Sequence, residues 1–193
     1  MKRTILFLFA LCAALTASAA ALQRQQIVLS EKLIRLHVVA NSNSSQDQTV
    51  KLQVRDAVLA AAQGLDRQQL AQALPEICHA AQSCLDRLGQ SQRIRVSLCR
   101  ERFPTRVYET FSLPAGVYHT LRVTIGEGEG HNWWCVVFPS ICLRATAQEM
   151  EDAAVSAGFT HSELDLITGQ PGYTLKFKCM EWLDALKAYL FTR

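Results

Sequence analysis

Gly126-Glu127-Gly128-Glu129-Gly130-His131-Asn132-Trp133-Trp134-Cys135-Val136-Val137-Phe138-Pro139-Ser140-Ile141-Cys142 is the most informative stretch of the chain. Three glycines alternating with two glutamates predict a flexible, acidic turn. That turn runs straight into paired tryptophans and two cysteines seven residues apart. Adjacent side chains point in different directions on a helix or a strand, so Trp133 and Trp134 cannot serve one apolar face equally. Tryptophan dominates cores and interfaces alike, and its indole N–H needs a partner when buried. At least one of the pair is therefore expected in a special packing or binding role, while a core role for both stays open.

Outward from this block, the preceding residues alternate between strand and helix patterns. Residues 33–40 read as a strand that ends in a polar loop at 41–45, with His37 expected as a hydrogen-bonded structural histidine. Ser45 and Gln48 have the spacing of a capping box, and Asp47 suits the positive end of a helix. The helix is predicted over 46–63, with Val50, Val54, Ala57, Val58 and Ala61 on one face and Gly64 closing it. A short helix near Asp66 and a longer one over 75–88 follow, the second carrying Ile77, Ala81, Cys84, Leu85 and Leu88. Strands are predicted over 93–100, 107–111 and 117–125, the last two joined as a hairpin across Leu113-Pro114-Ala115-Gly116. Beyond Cys142, residues 147–157 read as helix, 158–172 as a mobile segment of mixed polarity, 173–178 as strand and 179–191 as helix. This order predicts an α+β fold, a mainly antiparallel sheet packed against helices.

The N-terminus has the form of an export signal. Lys2 and Arg3 precede an uncharged run from Ile5 to Leu15 and the small residues Ala17-Ser18-Ala19. Residues 1–20 are read as a signal peptide or, if uncleaved, an anchor, since 4–22 approaches the ~20 residues that span a bilayer. Residues 21–193 then form a single extracytoplasmic domain of about 170 residues, a usual domain size. The formal net charge of +3 falls to about +1 without Lys2 and Arg3, which argues against nucleic acid. Arg93 and Arg95 alternate with Ile94, Val96 and Leu98, the pattern of a solvated strand face.

Six of the seven cysteines follow the signal, and six allow 15 pairings. Cys135 and Cys142 are the best pair, because Pro139-Ser140 between them can reverse the chain. Cys78 and Cys84 lie roughly 240° apart around a helix and read as small buried hydrophobes. His119, His131 and Cys135 invite a thiol-enzyme reading. His131 would meet Cys135 only on a helix, which the glycine run opposes, and Glu127 and Glu129 would raise a thiol pKa. A zinc site from His131, Cys135 and Cys142 lacks a fourth ligand. No phosphate loop, nucleophile elbow or dinucleotide fingerprint occurs. The residues point to a non-enzyme with neither metal nor cofactor.

Ile34-Arg35-Leu36-His37-Val38-Val39-Ala40-Asn41-Ser42, then Asp47-Gln48 and Lys51-Leu52-Gln53-Val54-Arg55-Asp56-Ala57-Val58, precede Phe103-Pro104-Thr105-Arg106 and Leu113-Pro114-Ala115-Gly116-Val117-Tyr118. With Leu121-Arg122-Val123 and the tryptophan block, this order resembles the stage II sporulation protein R family of endospore-forming bacteria. Asn43, where that family usually has aspartate, is one departure, as are Glu109 and Ser140-Ile141. The resemblance covers roughly residues 30–145. It implies an intercellular signalling ligand, made in the forespore and exported to the space between forespore and mother cell. There it triggers a membrane-embedded aspartic protease that processes the pro-form of the mother-cell sigma factor. The contact surface is inferred from residue chemistry as Glu127, Glu129, His131, Asn132, Trp133 and Trp134, with His37, Asn41 and Asn43 as secondary candidates. A secreted thiol hydrolase or a cell-wall-binding module is the competing reading.

Overall fold

Six consecutive buried residues, Ile34–Val39, form strand β1. A strand covered on both faces belongs at the centre of a sheet and needs a nearly continuous apolar run. The structure, a computed structural model, describes residues 2–108, 111–139 and 147–168. The chain divides into two compact units.

The larger unit holds the described parts of residues 31–102 and 117–159. After β1 come helices α2 (Ser45–Ala61), α3 (Arg67–Gln72) and α4 (Leu74–Arg87). Strands β2 (Ile94–Phe103), β5 (Gly116–Ile125) and β6 (Asn132–Phe138) complete its sheet in the order β2-β5-β1-β6. β1 runs parallel to β5 and antiparallel to β6. The Gly126 N–H, just past β5, donates to the Arg93 carbonyl just before β2, so β2 and β5 are antiparallel. The expected α+β architecture with a mainly antiparallel sheet is thus present, with one parallel pair at its centre.

One sheet face carries the apolar core. Ile34, Leu36 and Val38 of β1 and Leu121, Val123 and Ile125 of β5 pack with Val54 and Val58 of α2 and Ile77 and Leu85 of α4. These helix positions recur at the three- and four-residue spacing that makes one apolar stripe. Two of the expected α2 residues, Ala57 and Ala61, are only partly buried. The helix cap is also displaced: Ser44, not Ser45, accepts the Asp47 N–H at 3.1 Å. Gln48 instead reaches back to the Ser42 carbonyl at 2.8 Å. α3 does carry a reciprocal capping box between Asp66 and Gln69. Helix α5 (Ala147–Ser156) follows the predicted span within a residue.

The smaller unit holds the described parts of residues 1–30, 103–116 and 160–168. Its β3 (Arg106–Val107) pairs antiparallel with β4 (Ser112–Leu113). The hairpin expected across 113–116 is therefore corrected: the reversal falls earlier, where the Tyr108 N–H donates to the Phe111 carbonyl at 2.8 Å. The two rings stack there at 4.5 Å. β5 pairs with β1 and β2 rather than with the strand before it. A second correction is helix α6 (His161–Thr168), where a mobile segment was expected. Thr160 and Glu163 cap it reciprocally, and Leu164 and Ile167 are buried.

Helix α1 (Lys2–Lys32) contains the predicted export signal. Every side chain described between residues 4 and 21 is exposed, including Ile5, Leu6, Phe7 and Phe9. Burial begins at Leu29 and Ser30. Among the described residues no helix is long and apolar enough to cross a membrane. The strand and helix expected over 173–191 lie outside the described residues.

Candidate functional site

Residues 126–131 and 41–43 meet beyond one end of the sheet. All six backbone N–H groups of 126–131 are bonded. Asn41 Oδ1 accepts from Glu127 at 3.2 Å, and Asn43 Oδ1 accepts from His131 at 2.8 Å. The Asn41 and Ala40 carbonyls accept from Glu129 and Gly130 at 3.1 and 2.9 Å, and Arg93 and Ile125 take the remaining two. The turn is therefore anchored rather than loose, a correction to the flexibility its glycines predicted. The glycines serve close approach instead. A Cβ at Gly126 would strike Asn41 Oδ1, and one at Gly130 would strike the Ser42 carbonyl. With the glycines packed down, Glu127, Glu129, His131 and Asn132 are all exposed.

The support beneath this surface went unread in the sequence. Asp47 Oδ2 accepts from Ser42 Oγ at 2.6 Å and Asn41 Nδ2 at 2.9 Å. Those hydrogen bonds, Ser42's foremost, hold its carboxyl below the ordinary aspartate range. Lys51 is 5% exposed and donates to Gln48 Oε1 and the His131 carbonyl at 2.6 and 2.9 Å. Burial, with the Arg55 charge adding to it, pulls its pKa down. Asp47 and Lys51 lie four apart on the face that also buries Val50 and Val54. Charged residues on an apolar stripe are the signal that could have found them.

The two tryptophans diverge as adjacency requires. Trp133 faces Val38 in the register and packs on the apolar core, with the Arg55 guanidinium 4.4 Å from its ring centre. Its indole N–H is buried with no hydrogen-bond partner among the described residues. Trp134 lies on the opposite sheet face across from His37, the rings 5.8 Å apart. His37 is a buried structural histidine whose Nδ1 lies 2.7 Å from Glu101. Arg122 donates to the other Glu101 oxygen at 2.6 Å. Burial pulls the Glu101 carboxyl upward, yet the His37 and Arg122 hydrogen bonds outweigh it and leave a lowered pKa. His37 thus lies beside Trp134 on the sheet and takes no part in the loop hydrogen bonds that Asn41 and Asn43 make with 126–131.

Cys78, Cys84 and Cys99 are free thiols. Cys84 is buried as expected, whereas Cys78 is only half-buried. Burial and the Glu101 charge raise the Cys99 pKa, which keeps that thiol protonated. Cys135 is buried and disulfide-bonded, and its expected partner Cys142 lies outside the described residues. His119, weighed as a catalytic base, has its Nε2 2.9 Å from Glu31. That hydrogen bond first, and the Arg100 charge after it, hold the Glu31 carboxyl low against the opposing effect of burial.

The sequence profile of stage II sporulation protein R matches residues 30–148. Stage II sporulation protein R of Bacillus subtilis (strain 168) is 31% identical over 191 residues, spanning 85% of each chain. No solved structure matches.

Proposed function

The chain belongs to the stage II sporulation protein R family, and from that premise we propose that it is an exported signalling ligand of endospore formation. It is made in the forespore and carried by residues 1–20 into the space between the two membranes of the septum. Its receptor is a membrane-embedded aspartic protease of the mother cell, which then processes the pro-form of the mother-cell sigma factor. The catalytic work belongs to that partner. A ligand activates an enzyme only by binding the active form more tightly than the inactive one. Moving the equilibrium from 1:99 to 99:1 takes about a 10⁴-fold preference, ~5.5 kcal/mol.

The observation that supports the contact surface is the anchoring of 126–131 onto 41–43, which leaves Glu127, Glu129, His131 and Asn132 exposed on a fixed backbone. A fixed loop loses little conformational freedom on binding, which favours affinity. Trp134, two residues along the strand on the same face as Asn132, is the anchor of this surface, and Trp133 holds the strand to the core.

The test is capture of the purified chain by the exported region of the protease. Trp134→Ala should weaken capture about thirtyfold, the ~2 kcal/mol typical of an interface hot spot, with its melting temperature nearly kept. Trp133→Ala should instead lose about 3 kcal/mol of stability, as truncation of a large packed aromatic does. Failure to capture the parent chain would end the proposed partnership. Equal capture of parent and Trp134→Ala would move the signalling face elsewhere.

A further inference from the structure

A cleft of about 280 Å³ is lined by Arg67, Arg100 and His119 together with Cys99 and the apolar Ile34, Ala71 and Leu98. The Glu31 carboxylate faces these groups. Glu31 Oε1 lies 3.0 Å from Arg100 Nη2, and Glu31 Oε2 lies 2.9 Å from His119 Nε2. Arg67 is held in place by donating to the Glu31 carbonyl at 2.7 Å. The same His119 Nε2 is also 2.5 Å from Arg67 Nη2.

That ring nitrogen has two incompatible neighbours. A guanidinium nitrogen only donates, and a carboxylate only accepts. With a proton, Nε2 bonds Glu31 and opposes the Arg67 N–H. Without one, it accepts from Arg67 and turns a lone pair toward Glu31. In either state one neighbour goes unserved. An added oxyanion resolves the conflict, since it accepts from Arg67 while the His119 Nε2–H donates to Glu31. The apolar walls narrow the choice of anion. Arginine forks match the planar geometry of a carboxylate, and Ile34, Ala71 and Leu98 offer an apolar side chain a place to bury. The volume falls just short of the roughly 300–1,000 Å³ of sites for drug-sized ligands, which suits one terminal residue.

We propose that this cleft binds the C-terminal carboxylate of a peptide with an apolar last residue: Arg67 and Arg100 hold the carboxylate, and the side chain packs on Ile34, Ala71 and Leu98. Glu31 is then a competing internal carboxylate. The inference rests on this geometry alone and is independent of the signalling assignment.

Calorimetric titration of the full-length protein tests it, using a short peptide ending in leucine with a free carboxylate, the same peptide as its C-terminal amide, and inorganic phosphate. The free acid should bind saturably, and the amide about tenfold or more weaker. Arg67→Gln should lose a similar factor. Glu31→Gln should tighten binding several-fold, a gain that loss of folding cannot imitate. Absence of saturable binding by the acid, equal binding of acid and amide, or unchanged or weaker binding by Glu31→Gln would overturn the proposal. Phosphate binding as tightly as the peptide acid would do the same, leaving a plain anion site.

Discussion

Asp47 occupies the third position of α2, and its placement joins three requirements. Its N–H completes the Ser44 cap, its charge faces the positive end of the helix, and its carboxylate ties Ser42 and Asn41 into the loop that receives 126–131. Its carboxyl is held below the ordinary value of 3.8 by those hydrogen bonds. A lowered folded pKa stabilises the fold at pH values above the unfolded pKa, and the contribution is lost as pH falls through the folded one. Asp47→Asn should therefore be less stable than the parent at pH 7, and the gap should narrow below about pH 4. Melting curves of both proteins from neutral to acid pH check this. A gap that stays constant would mean that the charge of Asp47 contributes nothing.

The turn at 126–131 works because its glycines permit backbone approach. At Gly130 a Cβ would meet the Ser42 carbonyl and come within 2.7 Å of the Ala40 Cβ. Gly130→Ala should therefore cost ~1–3 kcal/mol, the usual range for overpacking. Thermal unfolding measures it, and a neutral result would show that the two loops separate easily. This contact was hidden in the sequence because its partners lie 86 and 88 residues apart, beyond the reach of any local pattern. The helices α2 and α4 were legible because their apolar positions repeat with the helix period. The divergence of Trp133 and Trp134 was legible because it follows from adjacency alone. The reversal at 108–111 was misread because Pro114 and Gly116 imitate a turn, although both are buried in the fold. Helix α6 was overlooked although Thr160 and Glu163 have the capping spacing. The end of β6 carries a further expectation: Cys135 bridges to Cys142, a short loop whose closure is worth at most ~2–3 kcal/mol. Mass spectrometry of non-reduced peptides from the exported protein should recover that pair linked, and two free thiols would remove it.

The first twenty residues stand in a different relation to the fold from those that follow. Every described side chain between residues 4 and 21 is exposed, and burial starts at Leu29. Glu31, farther along α1, already meets Arg100 and His119. Cleavage after the Ala17-Ser18-Ala19 site would thus remove no described buried side chain. It would leave residues 20–32, thirteen residues of α1, a marginal length for a helix in water without tertiary packing. Leu29 and Ser30 supply that packing. If residues 1–20 serve export alone, a foreign signal peptide fused to residues 22–193 should restore sigma-factor processing in a sporulating strain that lacks the protein. Its melting temperature after cleavage should equal that of the natural mature protein. An exported and stable fusion that leaves the precursor unprocessed would give the native N-terminus a second task, such as holding the ligand at the membrane beside its receptor. Residues 1–20 would then raise the local concentration of the 126–134 surface, which no change within that surface could replace.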